Sequence, residues 1–153
     1  MNRIDILHRC LLAVVRDDEV CRRLMTVPGV GPVVALTYRA TVDAPARFRH
    51  SKSVGAVFGL TPSKYQSGEI NRTGAISKCG DDMMRMMLYE AAQSMLLRSA
   101  KWSWLKGWAM KIAKHRGKKK AIVALARRLA VIMHRIWVDG TEFRWTRKET
   151  AAA

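Results

Sequence analysis

Val27-Pro28-Gly29-Val30-Gly31-Pro32 is the string on which the reading of this chain turns. Two glycines within three residues let the backbone reverse tightly, and Pro32 suits the first position of a following helix, where its missing N–H costs nothing. Upstream, Asp17 or Asp18 caps a short helix reaching Met25. A helix-hairpin-helix is therefore expected, with the N–H groups of Gly29, Val30 and Gly31 turned toward a phosphate without regard to base identity.

Outward from that turn the helical period dominates. Ile4, Leu7, Leu11 and Val14 recur at spacings of three and four, the narrow seam of a coiled coil, so residues 1–16 read as the end of a coiled-coil or linker helix. A helix this short is marginal by itself, which hints at a further N-terminal part. Downstream, Pro32 opens a helix that closes near Val42 at Asp43-Ala44-Pro45, and a short one is predicted over 51–58. Asp81 caps a long helix to about Ser99 with Met84, Met87, Leu88, Ala91 and Met95 on one face; Met enrichment there reads as adaptable core packing. Ser103 caps the next, carrying Leu105, Trp108 and Ile112 and broken at Gly117. The last shows Ile122, Leu125, Leu129, Ile132 and Ile136 in register, with Arg127, Arg128 and Arg135 off the stripe. Residues 61–80 are predicted as a loop, the chain is expected to fray from Arg144, and 146–153 form a disordered tail. With no run of alternating strand residues, the expectation is a mainly α domain over 17–145.

A chain of 153 residues is enough for one domain with a substantial core. Apolar residues make up 49% and charged residues 26%, ordinary globular usage. The departure is the sign of the charge: 28 Lys and Arg against 12 Asp and Glu leave +16, which implies a polyanionic partner. Residues 101–153 hold 14 basic and 3 acidic side chains, so the electrostatic footprint is mainly C-terminal. No run has the length of a membrane span and the start lacks a signal-peptide core, so a cytoplasmic protein is expected. Cys10, Cys21 and Cys79 suggest reduced thiols rather than a disulfide framework, and His8, His50, His115 and His134 show no zinc spacing.

Two stretches carry candidate chemistry. Lys114-His115-Arg116-Gly117-Lys118-Lys119-Lys120 is the densest charge run; bent at Gly117, it lets Lys118, Lys119 and Lys120 converge on a nucleic-acid backbone. Trp108 and Trp137 fall on or beside apolar stripes and are assigned to packing, whereas Trp102 and Trp104 are candidate base contacts. The other stretch is Lys64-Tyr65-Gln66-Ser67-Gly68-Glu69 with Gly74-Ala75-Ile76-Ser77-Lys78-Cys79-Gly80-Asp81. A serine becomes a nucleophile only where a base or nearby cations assist it; Lys64, Arg72 and Lys78 are the cations at hand, and Gly68 permits close approach of a backbone. Taken alone, a loop serine beside glycine is more often a turn former.

The motifs Val27 to Pro32, Asp43-Ala44-Pro45-Ala46-Arg47-Phe48, Gly59-Leu60-Thr61-Pro62, Tyr65 to Glu69, Ile76-Ser77-Lys78, Gly80-Asp81 and Trp137-Val138-Asp139-Gly140-Thr141-Glu142-Phe143 together resemble the C-terminal transposase domain of the insertion-sequence one-ten family, relatives of the pilin-gene invertase. The match runs from about Asp17 to Trp145. That resemblance implies a DNA transposase or recombinase acting as an oligomer, guided in some branches by a structured RNA. It implies Ser67 as the nucleophile, with Ser77 as the fallback. It also implies an N-terminal RuvC-like domain whose acids bind magnesium; that half has no counterpart in this sequence, so no cofactor is expected in this chain. Adjacent Asp81 and Asp82 are better explained as helix-start residues than as a replacement metal site. The alternative expectation is a non-catalytic DNA- or RNA-binding remnant that regulates a full-length transposase.

Overall fold

The computed structural model describes residues 2–68 and 70–147; the side chains of 64–67 and 70–73 lie outside that description. The chain runs α1 (Arg3–Asp17), α2 (Glu19–Leu24), α3 (Pro32–Val42), a 3-10 turn (Pro45–Arg47), α4 (Lys52–Val57), β1 (Pro62–Ser67), β2 (Ile70–Ile76), α5 (Asp82–Leu97), α6 (Trp104–Arg116) and α7 (Lys118–Asp139). The fold is mainly α, as the periodicity predicts.

Helix starts follow the expected capping chemistry. The Asp18 carboxylate accepts from the Cys21 N–H at 3.1 Å, Asp81 from Met84 N–H at 2.6 Å, and the Ser103 hydroxyl from Lys106 N–H at 3.1 Å. The longest helix, α7, lies at the centre, packed against α5, α6 and α4. Its residues Leu125, Leu129 and Met133 are fully buried, against Leu88 and Met95 of α5 and Leu105 of α6 in the same core. The Tyr38 hydroxyl donates to the Ala130 carbonyl at 2.7 Å, fastening α3 to α7. His134 is also buried on α7. Its Nε2 lies 2.9 Å from the Pro45 carbonyl, which can only accept, so Nε2 carries a proton, and Nδ1 and the Ser51 hydroxyl are hydrogen-bonded at 2.8 Å. This histidine is a satisfied packing residue that ties the 42–51 connection to α7.

Two sequence expectations are corrected. Residues 61–80 are not simply a loop: β1 and β2 form an antiparallel hairpin with Ser67 opposite Ile70 and Lys64 opposite Thr73. Backbone pairing decides the matter, because residues between Lys64 and Thr73 are polar on both faces and carry almost no period of two. Nor does the chain fray at Arg144. The indole N–H of Trp104 donates to the Arg144 carbonyl at 2.8 Å, and the Trp104 backbone N–H donates to Trp145 at 3.1 Å. Phe143 is buried, with its ring edge-to-face on Trp145. Residues 148–153 lie outside the described residues.

Candidate nucleic-acid interface

Apolar residues of α7 face the core at Ile122, Leu125, Leu129 and Met133, so its off-stripe positions Lys120, Ala124, Arg127, Arg128, Val131 and Arg135 share another face. Gly117, at φ +89°, links α6 directly to α7 and lets the two pack together. As a result Trp104 and Arg128, about equally far from Gly117 along the chain, meet. Between these helices and the base of the hairpin lies an open groove of about 1230 Å³. α6 contributes Trp104, Trp108, Lys111, His115 and Arg116; α4 contributes Lys52; Pro62 and Gly74 to Ile76 close the hairpin side.

Eight Lys and Arg line this groove, and no Asp or Glu among the described lining residues does. None of the eight joins an ion pair among the described residues, where the pairs are Arg23 with Glu19, Arg39 with Asp18 and Arg85 with Asp82. The floor is apolar, with Ile112, Val123 and Ile132 half-buried. Arg128 stacks over Trp108 with its guanidinium carbon 4.4 Å from the ring centroid, and lies 5.4 Å from that of Trp104. Burial, and then the neighbouring charge of Arg147, pull the Arg128 pKa below the ordinary guanidinium value. At the start of α7, Lys118, Lys119 and Lys120 occupy the first turn with no acid among them. Cations there oppose the helix dipole, at a cost of about 0.3–1 kcal/mol each, a local conflict that a bound anion would relieve.

The structure distributes the sequence-predicted site residues unevenly. Lys119 and Lys120 line the groove, while Lys118 is exposed beside it without lining it. Trp104 lies in the groove, but Trp102 rests on Gly107 outside it, 63% exposed. Trp108, assigned to packing, does that and lines the groove as well. Gly29 has φ +85°, and a Cβ there would sit 2.4 Å from the Ala91 carbonyl of α5. The Val30 N–H is already engaged with Val27 O at 3.1 Å. Of the three residues in that turn, Gly31 alone faces open space.

Ser67 ends β1 beside the turn at Gly68, whose φ is +60°. The side chains of Ser67, Lys64 and Arg72 lie outside the described residues. The fallback Ser77 is exposed and follows β2; its backbone N–H donates to Thr61 O at 2.9 Å, and Lys78 N–H to Gly59 O at 3.1 Å. The strands are thereby tied at their base to the end of α4. A Cβ on Gly59 would lie 2.2 Å from Cys79 O, and one on Gly80 2.0 Å from Val57 O, so glycine is required at both for the two backbones to touch. Arg85 braces the same junction, donating to Phe58 O at 3.2 Å. Among the described residues no three His, Cys, Asp or Glu are grouped as metal ligands. Asp81 caps α5 and Asp82 pairs with Arg85, which gives both carboxylates structural partners.

A family model described as the Transposase IS116/IS110/IS902 family matches residues 21–108. Among curated relatives, the y4pF/y4sB protein of Sinorhizobium fredii is 31% identical over 93% of this chain and 37% of its own length. The transposase for insertion sequence element IS1111A of Coxiella burnetii is 34% identical over 80% of this chain and 34% of its own. The transposase for IS1328 of Yersinia enterocolitica is 30% identical over 93% and 43%. The chain thus spans between about a third and two fifths of the length of these relatives.

Proposed function

This chain belongs to the IS116/IS110/IS902 transposase family, and we propose that it forms the nucleic-acid-holding and serine-bearing portion of an insertion-sequence transposase. The observation that carries this reading is the α6–α7 groove, in which eight cations converge with neither an acid in the lining nor an ion pair among the described residues. Charge of one sign along a low-dielectric wall attracts a phosphate backbone and releases its counterions, so binding depends on charge rather than on base identity. Gly31 and the first turn of α3 offer a second phosphate contact of the same sequence-blind kind.

Ser67 carries the strand chemistry in this proposal. Its hydroxyl oxygen attacks phosphorus; an ester forms between serine and one DNA end while the bond to the other end's sugar oxygen breaks, and that oxygen leaves as a hydroxyl after taking up a proton. The number of phosphoester bonds is conserved, so rejoining needs no ATP. Lys64, Arg72 and Lys78 stabilise the charge that builds on the phosphate oxygens. The partners of the reading are DNA, a structured guide RNA and further copies of a transposase chain.

A nicked suicide duplex offered to this chain together with a full-length relative whose own serine at the matching position is replaced by alanine tests the assignment. A covalent adduct is expected with the parent and with Ser77→Ala and is lost in Ser67→Ala; an adduct that survives Ser67→Ala overturns it. Binding with no adduct under any condition selects the non-catalytic reading.

A further inference from the structure

Phosphate attraction accounts for the rim of the groove but not for its floor. A duplex keeps its bases stacked inside and offers phosphates and sugars to a protein surface, so a groove that served a duplex backbone alone would gain nothing from Ile112, Val123 and Ile132 or from two indoles beneath a cation. Resting on the reading of this groove as a nucleic-acid surface, we propose that it holds an unpaired strand, one of whose bases stacks on the guanidinium plane of Arg128.

The geometry supports a layered platform. Trp108 lies beneath Arg128 with 4.4 Å between ring centroid and guanidinium carbon, and Trp104 flanks it at 5.4 Å. The Trp104 ring is held in place by its own N–H, which donates to the Arg144 carbonyl at 2.8 Å. A guanidinium is planar and weakly hydrated, and flat bases stack on such planes as readily as on aromatic rings. Held against indoles, Arg128 loses little conformational freedom when a base arrives. Lys111 and Arg135, both exposed and both lining the groove, are placed to take the flanking phosphates. Because every base has a π face, recognition here is tolerant of sequence but selective for strands whose bases are free.

Equilibrium binding of a fluorescent 15-nucleotide oligothymidine, an oligouridine of equal length and a 15-base-pair duplex, at one fixed salt concentration, tests this. The expected result is tighter binding of both single strands than of the duplex, quenching of tryptophan fluorescence by the single strands in a Trp102→Phe background, and a loss of roughly ten-fold in single-strand affinity for Arg128→Ala with duplex affinity nearly unchanged. Oligothymidine and oligouridine distinguish DNA from RNA as the source of the strand. Trp108→Phe keeps a π face and should retain most of the affinity, whereas Trp108→Leu should lose it. Should Trp108→Leu fail to fold, the Arg128→Ala comparison and the quenching in the Trp102→Phe background carry the decision. Duplex binding equal to or tighter than single-strand binding, with no quenching, overturns the unpaired-strand inference and leaves the nucleic-acid reading standing. Failure of all three ligands to bind overturns both.

Discussion

The groove and the hairpin sit side by side and are built on opposite principles. The groove's side chains project from α6 and α7, whose other faces are clamped in the core, so its cations and indoles are fixed by packing. The hairpin is a two-stranded ribbon, and two strands alone are marginally stable in water. Its order comes from its base, where Gly59 and Gly80 let residues 57–60 and 77–80 touch backbone to backbone. Under the proposed function, the fixed surface holds a strand and the ribbon, tied at one end, carries Ser67.

The sharpest way to break this contrast is at the tether. Gly80→Ala puts a Cβ against the Val57 carbonyl at φ +102° and should cost about 3 kcal/mol or more, read by urea unfolding. Gly68→Ala at the turn is strained in φ yet meets no atom within 4 Å, so a loss of about 1 kcal/mol is expected. Equal losses at the two sites would show that the base does not anchor the ribbon. On the helical side, Tyr38→Phe removes the hydroxyl bond to Ala130 and should cost about 1 kcal/mol. The smallest effect is expected at Asp18. Burial raises its carboxyl pKa, but the Cys21 N–H and then Arg39 together hold it below the usual carboxylate value. The group therefore stabilises the fold fully above the unfolded-state pKa and loses that contribution as pH falls through the lower folded-state value. Asp18→Asn should lower stability at neutral pH and leave it nearly unchanged at the acid end, which flattens this limb of a stability-against-pH profile.

How much was legible in the sequence follows the same division. Helices α1, α3, α5, α6 and α7 were readable because apolar residues recur with the helical period, and Asp18, Asp81 and Ser103 mark the starts of α2, α5 and α6. The hairpin was not, since Lys64 to Thr73 show almost no alternation of apolar and polar residues and Gly68 is the one glycine between them. Trp145 falls in the stretch expected to fray because nothing local foretells its return to Trp104. In the groove each cation could be named singly, and the off-stripe Arg127, Arg128 and Arg135 were visible as such. Their convergence with Trp104 and Trp108 depends on α6 and α7 packing across Gly117, a contact between residues remote in sequence. The signal that could have found it was the coincidence of an indole pair on α6 with an arginine pair on α7, each about as far from the glycine as the other.

The salt dependence of oligothymidine affinity in the triple variant Lys119→Ala, Lys120→Ala, Arg135→Ala tests the central claim most directly. If these side chains neutralise phosphates, affinity falls and the slope of log K against log salt becomes shallower by about 0.7 for each contact removed, whereas replacing Lys118 alone changes it less. An unaltered slope and affinity in a variant that unfolds like the parent would contradict the assignment of this groove to nucleic acid.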